Sequence, residues 1–221
     1  MRRLMMSVLA AVVVAGVFAG CGLTRAQKGA IFGAGGGAAA GAVIGKQSGN
    51  TAMGAIIGAA VGGAAGAVIG NYMDKQAAEI ERDLEGATVE RVGEGIKITF
   101  ASGILFAVDK SDLQPVAQAN LRQLAEILNK YPDTNILIEG HTDSDGSESH
   151  NQSLSERRAG AVSHMLAQNG VTGARMSTIG YGESQAVADN STAGGKQANR
   201  RVEVAIMANE KLKKAAQEKS N

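Results

Sequence analysis

Residues 135–159, NILIEGHTDSDGSESHNQSLSERRA, decide the fold of this chain. Ile136, Leu137 and Ile138 form an apolar run between a Pro132-Asp133 turn and Gly140, the pattern of a short buried strand. The carboxyl end of that strand delivers His141, Thr142 and Asp143 to a polar loop over 144–150. Ser153 and Glu156 then have the spacing of a capping box, which predicts a helix over 153–169. Asp143 thus leaves a strand end, and Arg158 projects from the second turn of the following helix. A carboxylate and a guanidinium face one mouth. Such a pair either holds itself together or grips a ligand that carries both an ammonium and a carboxylate.

The surrounding chain supplies the rest of a small domain. Leu121, Leu124, Ile127 and Leu128 predict a helix that opens at Pro115 and ends near Lys130. The helix after the central strand presents Leu154, Ala161, Val162, Met165 and Leu166. Val89 and Val92 lead into a glycine-bearing turn, and Ile96, Ile98 and Phe100 alternate with polar residues beyond it, which is a β-hairpin. Residues 175–179 and 201–207 give two more strands, the second alternating Val202, Val204 and Ile206 against Arg201, Glu203 and Ala205. Alternating β, α, β, α, β, β implies an α/β fold of the α+β kind, a two-layer sandwich with helices on a mixed sheet.

Four separated motifs then occur in order: GHTDSDG at 140–146, NQSLSERRA at 151–159, GYG at 180–182 and NRRVE at 199–203. Together they resemble the OmpA-like peptidoglycan-binding domain over 87–208. The resemblance implies non-covalent binding of the peptide stem of peptidoglycan, Asp143 taking the ammonium of diaminopimelate and Arg158 its carboxylate. Thr142, Ser144 and Asn151 offer uncharged hydrogen bonds around that pair. The family usually carries Phe-Asp where this chain has Phe106-Ala107, which leaves Asp109 as the acid from the neighbouring loop. Arg200 and Arg201 alternate, one inward and one outward; Arg201 joins the candidate set, and the choice between the two stays open.

The amino-terminal part is built differently. Residues 1–20 have the form of an export signal: Arg2 and Arg3, an apolar run over 4–18, then Ala19-Gly20 before Cys21, the single cysteine of the chain. This resembles a bacterial lipobox, with Phe18 where Leu is usual, and implies a covalent lipid on Cys21 and anchorage to outer-membrane lipid. Residues 21–28 are a linker. Over 29–72, glycines recur every fourth residue, at 29, 33, 37, 41, 45 and 49 and again at 54, 58, 62, 66 and 70. That period lines one ridge of a helix, so a glycine-zipper hairpin of arms 29–45 and 51–72 is expected, with membrane entry or homo-oligomerisation open to it. Residues 73–86 read as an amphipathic connector and 209–221 as a frayed polar tail.

Several function classes fall away. The formal net charge is +1 with cations scattered and aromatics few, so nucleic acid is not an expected partner. His141, Asp143, Asp145 and His150 could supply metal ligands, but Gly146 falls at the fourth rather than the sixth position of a calcium loop, and no metal is expected. Ser147 and Ser149 lie near His150 without a nucleophile elbow, and no carboxylate pair stands out, so neither catalysis nor a cofactor is expected. The expectation is an outer-membrane lipoprotein whose carboxyl-terminal domain, in the periplasm, tethers the membrane to the cell wall. The competing expectation is a zipper-built pore or oligomer with the wall domain as a clamp.

Overall fold

Alternating apolar residues on five strands form the centre of the molecule, and the computed structural model describes residues 51–220 of the chain. Ala87–Val92 (β1) and Gly95–Ala101 (β2) make the expected hairpin, turning at Gly93, whose φ of 53° suits glycine. Thr134–Gly140 (β3), Met176–Gly180 (β4) and Arg201–Ala208 (β5) complete a sheet of order β1-β2-β5-β3-β4. Only β3 and β4 run parallel.

On one face Ile96, Ile98, Phe100, Ile136, Ile138, Val202, Val204 and Ile206 meet a layer of helices. That layer contains Pro115–Lys130 (α4), opened by its proline as expected, and Glu148–Gln168 (α5). The predicted start of α5 at Ser153 is corrected to Glu148. Gly146, at φ 100°, turns the chain, and Ser147 Oγ accepts the His150 backbone N–H at 3.3 Å, so the cap forms at Ser147 instead of Ser153. Arg158 therefore sits deep in the helix rather than in its second turn. Two short helices, Ser102–Leu105 (α3) and Ala193–Asn199 (α6), carry too few apolar residues to be read from periodicity.

The glycine-zipper region differs most from expectation. The arm at 29–45 lies outside the described residues. The arm at 51–72 is not one helix: Thr51–Ala59 (α1) ends before Gly62 and Gly63, both at positive φ, and Gly63–Asp83 (α2) runs unbroken through the expected boundary at 72/73. The Glu94 carboxylate accepts the backbone N–H groups of Val61 and Gly62 at 2.8 and 2.6 Å, a negative charge at the amino end of α2. Ile69, Met73, Ala77 and Ile80 of α2 enter the main core. Helix α1 covers the opposite face of the sheet, packing Ala52, Ala55, Ile56 and Ala59 on Leu137, Ile179, Ala205 and Met207. The polar tail is also corrected, for Glu210–Ser220 (α7) is helical and buries Leu212 and Ala216, one turn apart, in the main core. Among the described residues no helix is long and apolar enough to cross a membrane.

Gly140 ends β3 against α5, and a Cβ there would stand 2.1 Å from the Ser155 carbonyl oxygen, a backbone atom that cannot rotate away. Gly140→Ala is expected to lower folding stability by about 3 kcal/mol, at the upper end of overpacking costs. Urea denaturation reads this directly, and a variant as stable as the parent would refute the close approach.

Candidate functional site

A cleft of about 560 Å³ opens where the carboxyl end of β3, the first turns of α5 and the 102–109 segment converge. Thr142, Asp143 and Asp145 enter it from the loop after β3, Asn151 and Arg158 from α5, and Asp109 and Phe106 from the opposite rim. Asp143 and Arg158 are both buried, at 5% and 4% exposure, so neither charge is solvated. They do not pair with each other. Arg200, with a half-exposed side chain, donates through Nη1 to Asp143 Oδ2. Asp143 Oδ1 also accepts the Asp145 backbone N–H at 3.1 Å.

Arg158 is held differently. Its Nε donates to the Lys110 carbonyl oxygen at 3.0 Å, and its guanidinium carbon lies 5.2 Å from the centroid of the Phe106 ring. Burial lowers its pKa, and the negative charges of Asp109 and Asp143 oppose that shift. Guanidinium begins so basic that it stays charged regardless. Among the described residues no carboxylate forms an ion pair with it. A buried cation positioned by a carbonyl and a ring, with no anion of its own, is suited to receive a carboxylate in bidentate fashion.

Asn151 braces the Asp143 side of the cleft, donating to the Asp143 carbonyl oxygen at 3.2 Å and to Glu183 Oε2 at 2.6 Å. Thr142 is buried with its Oγ1 unpartnered among the described residues. Asp109, the one non-glycine described residue at positive φ (56°), places Oδ1 2.7 Å from His150 Nε2 across the mouth. Sequence reasoning missed that contact, since its partners lie 41 positions apart and no local pattern joins them. Ser144 is exposed and not on the cleft wall; its N–H donates to Asn190 Oδ1 at 3.3 Å.

Arg201 is corrected. The alternation of β5 sends Val202 into the helix-side core, so Arg201 turns to the face that α1 covers, and Arg200 is the arginine in the cleft. Arg201 is buried, donating from Nε to Glu203 Oε1 at 2.6 Å and from Nη2 to the Gln185 carbonyl at 3.2 Å. The histidines and aspartates read as possible metal ligands do not converge. His150 stands at the cleft mouth, whereas His141 is buried beside Glu139 and stacks on Tyr181 with ring centroids 5.6 Å apart. Burial and the Arg201 charge hold its imidazole pKa well below the usual value, so it is neutral.

Comparison with known proteins agrees with this architecture. The profile described as the OmpA family matches residues 105–200, and that of the YMGG-like Gly-zipper matches residues 1–74. Outer membrane porin F of Pseudomonas aeruginosa is 47% identical over 109 residues, 49% of this chain; the chain spans only 31% of that porin's length. Outer-membrane lipoprotein YfiB of the same organism is 36% identical over 115 residues, covering 52% of this chain and 68% of that protein. Among solved structures, the cell wall anchor of the T6SS from Pseudomonas aeruginosa superposes with a TM-score of 0.54 at 28% identity, covering 62% of this chain and 96% of that one.

Asn151→Ala removes both donors that brace the Asp143 loop and leaves a buried carbonyl unpaired. A stability loss of about 1–3 kcal/mol is expected by urea denaturation. A loss below about 0.5 kcal/mol, the level of an ordinary surface change, would show that Asn151 does not hold the cleft wall.

Proposed function

The chain belongs to the OmpA family, and we propose that it is a lipid-anchored tether that holds the outer membrane to the cell wall by gripping the peptide stem of peptidoglycan in this cleft. One observation carries the reading: the cleft contains a buried carboxylate and a buried guanidinium that do not satisfy each other. A ligand bearing an ammonium and a carboxylate on one carbon complements both. The diaminopimelate side chain of a peptide stem has that pair. Its carboxylate would take the guanidinium fork of Arg158, and its ammonium would take Asp143, with Arg200 sharing or yielding that carboxylate from its half-exposed position. Thr142 Oγ1, Asn151 and Asp109 are the proposed polar contacts around it. Binding of this kind is reversible and needs no bond to be made or broken, so no catalytic role is proposed for any residue.

The lipid on Cys21 is supported by the residue pattern that precedes it and by the likeness to an outer-membrane lipoprotein. With the lipid in the outer membrane, the folded domain would work from the periplasmic side. The pore alternative draws on the glycine zipper over 29–72, of which residues 29–50 lie outside the described residues. The described part of the zipper packs on the domain instead of presenting a free helix.

Full-length protein in mild detergent should pellet with purified peptidoglycan sacculi, and free diaminopimelate should compete. Asp143→Ala and Arg158→Ala are each expected to weaken binding by at least about tenfold, the loss of a charge-assisted hydrogen bond. Parent protein that stays in the supernatant, or folded variants that pellet as well as the parent, would overturn the proposal.

A further inference from the structure

The second face of the sheet holds a polar cluster that the cleft does not use. The register of β3 and β5 sets Glu139 directly opposite Glu203, at 0% and 2% exposure, and His141, at 1%, lies beside them. Like charges placed opposite one another on neighbouring strands repel. Both ring nitrogens of His141 and Oε2 of Glu203 are buried without a hydrogen-bond partner among the described residues, and the buried Glu139 carboxylate has no side-chain hydrogen-bond partner there, with the Ala52 backbone N–H of α1 close to it. Buried polar atoms are nearly always paired, so a concentration of unpaired ones marks a place for something else. These atoms belong to three metal-ligating groups, and one ligand atom from each lies within 4.8 Å of the other two.

We propose that Glu139, His141 and Glu203 form a binding site for a divalent transition-metal cation of the zinc class. The donor set is two carboxylate oxygens and one imidazole nitrogen, which suits a four-coordinate metal with one position left for water. Calcium and magnesium take six or more oxygens and fit it poorly. Arg201 does not block the site: it binds Oε1 of Glu203 at 2.6 Å, orienting that carboxylate and leaving Oε2 free. His141 Nε2 and Glu139 Oε2 are 3.8 Å apart, and a rotation of the glutamate would bring them to the roughly 3.3 Å that ligands of one tetrahedral zinc require.

The first turn of α1 lies close by, Thr51 Oγ1 donating to Gln185 Oε1 at 2.7 Å beside the cluster. All three ligands come from the sheet side, so an ion here would lie beneath the zipper-side helix, independently of any ligand in the cleft. The proposal does not rest on the cell-wall reading.

Full-length protein stripped with chelator and then dialysed against zinc tests it by elemental analysis. About one zinc per chain is expected, with a rise in Tm that chelator reverses and magnesium does not reproduce. Glu139→Gln and His141→Gln should each weaken zinc binding by at least about tenfold, while His164→Ala, at an exposed position, should not. If those two variants fail to fold, cobalt-loaded parent decides: the visible bands of four- or five-coordinate cobalt are expected. Parent protein that binds no zinc, folded variants that bind it normally, or octahedral cobalt only would each overturn the site. The first outcome would leave internal water or a proton on Glu139 as what occupies the cluster.

Discussion

Helix α5 sits on the carboxyl ends of β3 and β4, where Gly140 and Gly180 place no side chain on the strand side, and the geometry of the cleft depends on that contact. A Cβ at Gly140 would stand 2.1 Å from the Ser155 carbonyl oxygen, and one at Gly180 would stand 2.5 Å from the Glu156 nitrogen. The contact is then fixed by hydrogen bonds. Gly182 N–H donates to Ser155 Oγ at 2.9 Å, and Gln152 Nε2 donates to the Gly180 carbonyl at 2.8 Å. Asp143 emerges just beyond Gly140, and Arg158 lies one helical turn beyond Ser155. Clamping those two backbones sets the distance between the charges, so the glycines of the two motifs act through position rather than chemistry.

Holding two buried charges apart costs desolvation that an internal ion pair would partly recover. The chain compensates each charge separately. Asp143 receives Arg200 and a backbone N–H, and Arg158 receives a carbonyl and the face of Phe106. Those neighbours fix the orientation of both groups before a ligand arrives, which reduces the ordering cost of binding. The Arg158 carbonyl partner comes from the same loop that carries Asp109 and its His150 contact, so the rim and the floor of the cleft are mechanically joined.

The sheet is buried on both sides where α1 lies, which gives the amino-terminal segment a structural part in the domain. The matched Gly-zipper region reaches residue 74, so α1 and the start of α2 belong to it by sequence and to the sheet's surroundings by packing. A glycine on β2 allows α1 to seat closely: a Cβ at Gly95 would collide with the Ile56 side chain. This burial also encloses Glu139 and Glu203. Desolvation and mutual repulsion push the Glu139 carboxyl well above the usual carboxylate range.

Local patterns in the sequence determined the strands, α4, the hairpin and the two charges of the cleft, because period-2 and period-3.6 spacing, turn glycines and a helix-opening proline act over a few residues. They also determined that Asp143 and Arg158 would face one mouth. The start of α5 was misplaced because the Ser153–Glu156 spacing fits a capping box, whereas the turn at Gly146 sets the cap at Ser147. Arg200 and Arg201 are adjacent and chemically identical, so only the pairing of β5 between β2 and β3 decides which enters the cleft. The helical tail and α1 gain their order from surfaces made elsewhere in the chain. The same holds for the buried Glu139–His141–Glu203 cluster: alternation marks those positions as a polar face, and only the helix laid over it makes that face interior.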